Sequence, residues 1–189
     1  MDREAWNRKH ASGDHHFGGR PNRFLVAEAE GLAPGMALDL ACGEGRNAVW
    51  LAERGWQVTG VDFSDVALAG ARRLAEERGV EVEWVEADLL DYVPAEGAYE
   101  LVAVLYLQLP AAERRAVLER ASAAVAPGGT LLVVGHDLEN LEHGVGGPKD
   151  PRVLFTPGEI ATELPGLRVE KAERVLRDGA IDALVRASR

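Results

Sequence analysis

ALDLACGEGRNAVWLAERGWQVTGVDFS, Ala37 to Ser64, is the stretch from which the fold can be read. It opens with an apolar run, Ala37 to Leu40, broken by a single acid, Asp39, and passes into a turn containing Gly43 and Gly45. From Arg46 to Arg54 the apolar residues Ala48, Leu51 and Ala52 recur at helical spacing, with Trp50 beside them. Gly55 is placed to close that helix, and Val58 to Val61 form a second apolar run ending in Asp62. Strand, glycine loop, helix and strand in this order make a βαβ unit, the half-motif of a nucleotide-type α/β fold.

Two ligands compete for such a loop. Gly43-Glu44-Gly45-Arg46-Asn47-Ala48 fits the dinucleotide pattern G-x-G-x-x-A, with Asp62 where a ribose-binding acid belongs. A dinucleotide, however, sets its pyrophosphate on the helix N-terminus. Here Asp39 ends the first strand and Glu44 sits in the loop, with only Arg46 to offset them. A ligand with an ammonium, a sulfonium and a ribose but no phosphate suits these carboxylates better, and S-adenosylmethionine is one. At Asp39-Leu40-Ala41-Cys42-Gly43-Glu44-Gly45 the sequence resembles the class I S-adenosylmethionine-dependent methyltransferases, with Ala41 in place of the first glycine of their motif.

Working outward, residues 2–11 read as a helix carrying Trp6 and His10, and Ser12 to Asn22 as a glycine-rich mobile loop. Asn22 is set to cap a helix to Glu30, and Pro34-Gly35 turns the chain into the first strand. Beyond Asp62, Ser64 caps a helix predicted over Asp65 to Arg78. A third strand is expected over Val80 to Val85 and a fourth, buried on both faces, over Tyr99 to Leu105. Pro110 opens a helix to about Ala124, Pro127-Gly128-Gly129 makes a turn, and Thr130 to Val134 is the fifth strand. Gly135 to Phe155 has no periodicity and reads as a lid or ordered loop. Thr156 caps a helix to Leu164, and Arg168–Leu176 and Ile181–Ala187 pair as a hairpin around Asp178-Gly179. The resemblance covers roughly residues 36–189. It implies a doubly wound, Rossmann-like seven-stranded sheet, mostly parallel with an antiparallel C-terminal strand hairpin. The whole is expected to be a single domain, 1–189, with residues 1–35 as an N-terminal cap and 36–189 as the core. Trp6, Gly19-Arg20-Pro21-Asn22 and Cys42-Gly43-Glu44-Gly45-Arg46-Asn47 look most like the small tellurite-resistance and thiopurine methyltransferases.

By this resemblance Asp39 sits near the cofactor's amino group; the competing role is a carboxylate bonded to the loop's own amides. Ala41, Gly43, Gly45, Arg46 and Asn47 form the loop that approaches the ligand. Asp62 resembles the acid that takes both ribose hydroxyls, Phe63 lies along the adenine edge, and Asp88 with Leu89 reaches the adenine amino group. Val104 and Leu105 line the methionine end, together with Gln108. Arg20 is the candidate partner of the cofactor carboxylate, since a guanidinium fork matches that group, and an exposed loop arginine is the alternative. His136, ending the fifth strand and followed by Asp137, is the catalytic candidate: it either serves the acceptor or anchors the next loop. His15-His16 beside Asp14 reads as a wet loop rather than a metal site, and Cys42 as a small buried hydrophobe.

Lys and Arg total 21 against 31 Asp and Glu, a net charge of −10, and no basic stripe stands out, which argues against a nucleic-acid substrate. No apolar run approaches the roughly 20 residues of a membrane span. One cysteine and an N-terminus unlike a secretory signal lead to the expectation of a cytoplasmic protein. The expected activity is methyl transfer from S-adenosylmethionine to a small-molecule acceptor. A thiol or other chalcogen is favoured, because the one acid–histidine pair in view is His136 with Asp137, neighbours whose side chains often point apart, and a thiol needs little help to ionise. A non-catalytic cofactor-binding regulator on the same fold is the alternative, and a dinucleotide-dependent oxidoreductase the third reading.

Overall fold

The computed structural model describes Glu4, residues 6–8 and residues 19–189. Glu4 and residues 6–8 are helical, as expected. The other residues of the expected 2–11 helix, His10 included, and residues 12–18 of the expected loop, with His15-His16 and Phe17, lie outside the described residues. The chain divides into two compact units, Met1–Tyr92 and Val93–Arg189.

The first unit contains α1 (Arg23–Ala29), β1 (Met36–Leu40), α2 (Arg46–Ala52), β2 (Gln57–Asp62), α3 (Asp65–Arg78) and β3 (Glu83–Glu86). β1 pairs parallel to β2, and β2 parallel to β3. β1 and β2 are buried past their first residue, as strands covered on both faces must be. Leu38, Leu51 and Leu68, each fully enclosed, supply core at about 2 kcal/mol apiece. Asn22 caps α1 by accepting from the Phe24 and Leu25 amides, and Ser64 caps α3 through Ala67. β3 is shorter than its pattern predicts. The Val80 amide bonds back to the Ala75 carbonyl to close α3, so the ladder with β2 begins only at Glu83.

The second unit contains β4 (Tyr99–Leu105), α4 (Ala111–Ala124), β5 (Val125–His136), α5 (Asn140–His143), a 3₁₀ turn (Pro151–Val153), α6 (Pro157–Thr162), β6 (Arg168–Arg177) and β7 (Ala180–Ser188). β5 pairs parallel to β4 and antiparallel to β7, which is antiparallel to β6. The seven strands are ordered β3-β2-β1-β4-β5-β7-β6, the mixed, mainly parallel sheet expected. Asp178 and Gly179, with φ 51° and 84°, form the tight turn of the hairpin.

Two segments differ from expectation. Pro127-Gly128-Gly129 does not precede β5 but lies within it as a bulge, the register jumping from Tyr99↔Val125 to Leu101↔Thr130. The 135–155 stretch continues β5 to His136 and then runs through α5 and the 3₁₀ turn as an ordered segment fastened at several points. Asp137 bridges Phe155, and buried Asn140 accepts from the Ile181 amide and donates to the Gly146 carbonyl. Its order comes from side-chain and long-range bonds that carry no sequence period. Thr156 and Glu159 form a capping box at α6.

Candidate functional site

In the first unit the end of β1 delivers Asp39 to the glycine loop. Its side chain is 1% exposed, and neither carboxylate oxygen has a hydrogen-bond partner among the described residues. Burial pushes its pKa up to about 7; Arg46 pulls it down, the neighbouring Asp62 pushes it up, and the Ala48 amide, too poorly placed to count as a hydrogen bond, lowers it least. A carboxylate left this way costs several kcal/mol unless a donor meets it.

Asp62, at the end of β2, braces the loop. Its Oδ2 accepts from the Gly43 amide at 2.9 Å and its Oδ1 from the Ser64 amide at 2.9 Å. A carboxylate oxygen accepts up to two bonds, so this bracing does not by itself exclude ribose hydroxyls. Ala41, where a glycine was expected, takes φ 60°, a left-handed conformation that costs an L-residue about 1–2 kcal/mol. Gly45, at φ 76°, is fixed by packing: a Cβ there would stand 2.5 Å from Trp84 Cη2 and 2.8 Å from Ala71 Cβ. The same indole covers Gly60, where a Cβ would lie 2.6 Å from Cζ3.

Asn47 faces the chain rather than the loop mouth, its Oδ1 accepting from the Asn22 amide at 2.8 Å. Arg46 donates to the Arg20 carbonyl at 3.5 Å, while Arg20 itself is exposed. Phe63 is half-buried and Leu89 buried. Asp88 is exposed and accepts from the Leu90 amide, a local turn. Asn7, which sequence reasoning passed over, accepts from Ser64 Oγ at 2.6 Å and donates to Asp65 at 2.9 Å. Cys42 is buried, its thiol pushed well above the ordinary range by burial and by Asp39 and Asp62. A groove of about 720 Å³ beside Trp56, Thr59, Arg72, Glu76 and Trp84 includes none of the expected site residues.

In the second unit Val104 and Leu105 are buried in β4. His136 lies near a carboxylate that the sequence did not suggest, at ion-pair distance, although its buried Nδ1 makes no aligned hydrogen bond among the described residues. Asp137 turns away, accepting from the Glu139 amide and pairing with Arg174 at 3.1 Å. Asp182 of β7, directly across the ladder, stands instead 3.2 Å from His136 Nδ1. Tyr106 Oη donates to Asp182 at 2.8 Å, and Arg177 Nε donates to both. No cluster of His, Cys, Asp and Glu among the described residues is arranged to hold a metal, and no helix among them is long and apolar enough to cross a membrane.

Residues 37–129, just under half of the chain, match the family described as a methyltransferase domain. The whole chain superposes on the N-methyltransferase NodS of Bradyrhizobium japonicum WM9, crystallised with S-adenosyl-l-homocysteine. The TM-score is 0.79 at 18% identity, covering 98% of this chain and 96% of that one. This is the class I methyltransferase fold.

Among curated relatives, the demethylmenaquinone methyltransferase of Thermus thermophilus is 41% identical over 117 residues, 61% of this chain and 53% of that protein. The chain thus spans about half the length of the curated relatives it matches. TehB of Haemophilus influenzae shares the methyltransferase fold with TM-score 0.74 at 18% identity, over 89% of this chain and 62% of that one. At that identity the likeness is one of fold. Within the methyltransferase frame, the acid ending β1 and the acid ending β2 flank one loop, and their chemistry suits a cationic, hydroxyl-bearing ligand. Asp39 has the oxygens for an ammonium, and Asp62 holds the loop through the Gly43 and Ser64 amides.

Proposed function

We propose that this chain is an S-adenosylmethionine-dependent methyltransferase acting on a small molecule. The observation that carries this reading is Asp39, a carboxylate 1% exposed and without a hydrogen-bond partner among the described residues, beside the glycine loop. An ammonium donated to it removes the penalty of its burial. Asp39 would hold the cofactor's amino group and Asp62 its ribose hydroxyls, with Ala41, Gly43, Gly45, Arg46 and Asn47 shaping the loop. Phe63, Asp88 and Leu89 would meet the adenine, and Arg20 the cofactor carboxylate. Bound there, the cofactor supplies an already activated methyl group, so the protein contributes chiefly alignment and exclusion of water. Residues 1–35 act as a cap in this reading, and the bonds of Asn7 to Ser64 and of Asn22 to Asn47 support it.

The net charge of −10 favours an acceptor without large negative charge. Thiols and other chalcogens, of the kind handled by the tellurite-resistance and thiopurine enzymes, satisfy that. The second argument for them, the want of an acid set against His136 other than Asp137, is tempered by Asp182, whose Oδ1 stands 3.2 Å from Nδ1 without an aligned hydrogen bond. Calorimetric titration with S-adenosylhomocysteine and with NADH tests the cofactor. S-adenosylhomocysteine should bind and NADH should not, Asp39→Asn should weaken binding at least tenfold, and below pH 7 binding to the native protein should release a proton. Binding of NADH in preference would overturn the reading.

A further inference from the structure

The groove beside Trp84 belongs wholly to the unit that ends at Tyr92. It arises from a mismatch in strand lengths. β2 starts at Gln57, but its ladder with β3 starts only at the Thr59↔Glu83 pair, because Val80 is still bonded to the Ala75 carbonyl of α3. Gln57 and Val58 therefore have no β3 partner, and a space of about 720 Å³ stays open there. Sites for small organic molecules span roughly 300–1,000 Å³. The lining is apolar and aromatic: Trp56, Val58 and Ala75 are buried, and Val82 and Trp84 half-buried. Met36, 42% exposed, adds apolar surface to the same opening. Its charge is one-sided. Glu76, Glu81 and Glu83 stand exposed against a single guanidinium, Arg72. Glu83 is fixed by Thr59 Oγ1, which donates to its Oε2 at 2.9 Å. Indole rings and carboxylates both favour a cation, and a chain charge of −10 disfavours an anion.

We propose that this groove binds a small aromatic ammonium, and that Trp84 passes its occupancy to the glycine loop. The proposal goes beyond the methyltransferase reading and does not depend on it. The cation lies against the aromatic lining with its charge toward Glu76 and Glu81. Trp84 is shared between the groove and the loop: a Cβ on Gly45 would stand 2.5 Å from its Cη2. Gly45 in turn caps α2 at φ 76°, with Ala71 of α3 on its other side. Contacts this close leave no slack, so a ring displaced from the groove side moves Gly45 with it.

Benzyltrimethylammonium, titrated into the full chain and followed by calorimetry, tests the site. It should bind, and phenylacetate, of similar size and opposite charge, should bind at least about tenfold more weakly. The exposed carboxylates can be changed without touching the core, and Glu76→Gln with Glu81→Gln together should weaken the ammonium about fivefold. Asp39→Asn should leave its affinity unchanged, which separates the groove from a cation held at the glycine loop. Amide spectra of nitrogen-15-labelled protein test the coupling. The Gly45 resonance should move as the native protein is saturated and hold still in saturated Trp84→Phe, whose shorter ring keeps an aromatic wall but not the Cη2 contact. If Trp84→Phe does not fold, the doubly substituted Glu76→Gln, Glu81→Gln chain gives the comparison, its Gly45 response needing about fivefold more ammonium. Equal affinity for phenylacetate, undiminished binding by the double variant, or loss of binding in Asp39→Asn would overturn the site. A Gly45 resonance that stays fixed in the native protein, or moves equally in Trp84→Phe, would overturn the coupling.

Discussion

At the scale of single residues, Asp39 governs how this protein responds to pH. Its ordinary carboxyl pKa of 3.8 is raised to about 7, so the folded chain holds a proton that the unfolded chain releases between those values. The contribution of this group to stability is therefore full below about pH 4, declines as pH rises toward 7, and is flat above. Asp39→Asn should be more stable than the native protein at pH 8 by a few kcal/mol, with the difference shrinking toward pH 4. Denaturant melts at the two pH values measure it, and equal differences at both would remove Asp39 as the source. Ala41 offers a second residue-scale test. Its φ of 60° is natural for glycine, so Ala41→Gly should stabilise by about 1 kcal/mol despite the extra freedom it gives the unfolded chain. A lower denaturation midpoint for that variant would mean that the alanine methyl packs usefully. Asp62→Ala should lose stability as well as cofactor affinity, because the carboxylate braces the Gly43 and Ser64 amides.

Secondary-structure elements were legible where one local rule settled them. The α3 helix was read to the residue from its Ser64 cap, with Gly79 at φ 66° closing its far end, and the hairpin because Asp178-Gly179 has one good solution. Asp39 and Asp62 were legible as acids ending apolar runs. Asp182 gives the same signal, a lone acid in Ala180-Ile181-Asp182-Ala183-Leu184-Val185, but its meaning depends on a partner 46 positions away across a ladder. Proximity in sequence pointed to Asp137 instead. The β5 bulge was missed for a related reason: Pro-Gly-Gly signals a turn, and only pairing with β4 makes it an interruption inside a strand. Gly45 was legible as a glycine but for an incomplete reason, since Trp84 and Ala71 fill the space where a side chain would go. Gly45→Ala should destabilise by about 2–4 kcal/mol from crowding and backbone strain together. Trp84→Leu in the same chain should recover part of that loss, as thermal melts of the two variants would reveal; an additive double variant would remove Trp84 as the cause.

For the molecule as a whole, an excess of ten negative charges and a pI of about 5.0 set its behaviour in solution. Solubility should pass through a minimum near pH 5, where net charge vanishes. That is also the range in which protonated Asp39 still supports the fold, so turbidity there should come from folded protein, retaining its circular dichroism on return to pH 8. The tryptophans are unevenly shared. Trp6, Trp50, Trp56 and Trp84 all belong to the unit that ends at Tyr92, and the unit that follows has none. Light emitted after excitation at the red edge of the near-ultraviolet therefore originates from one half of the chain. Trp84, lying against Gly45 and Gly60, places one emitter beside the glycine loop. The protein carries its own optical probe for that loop, while the His136 half stays dark and can take a tryptophan of its own as a second, separately readable signal.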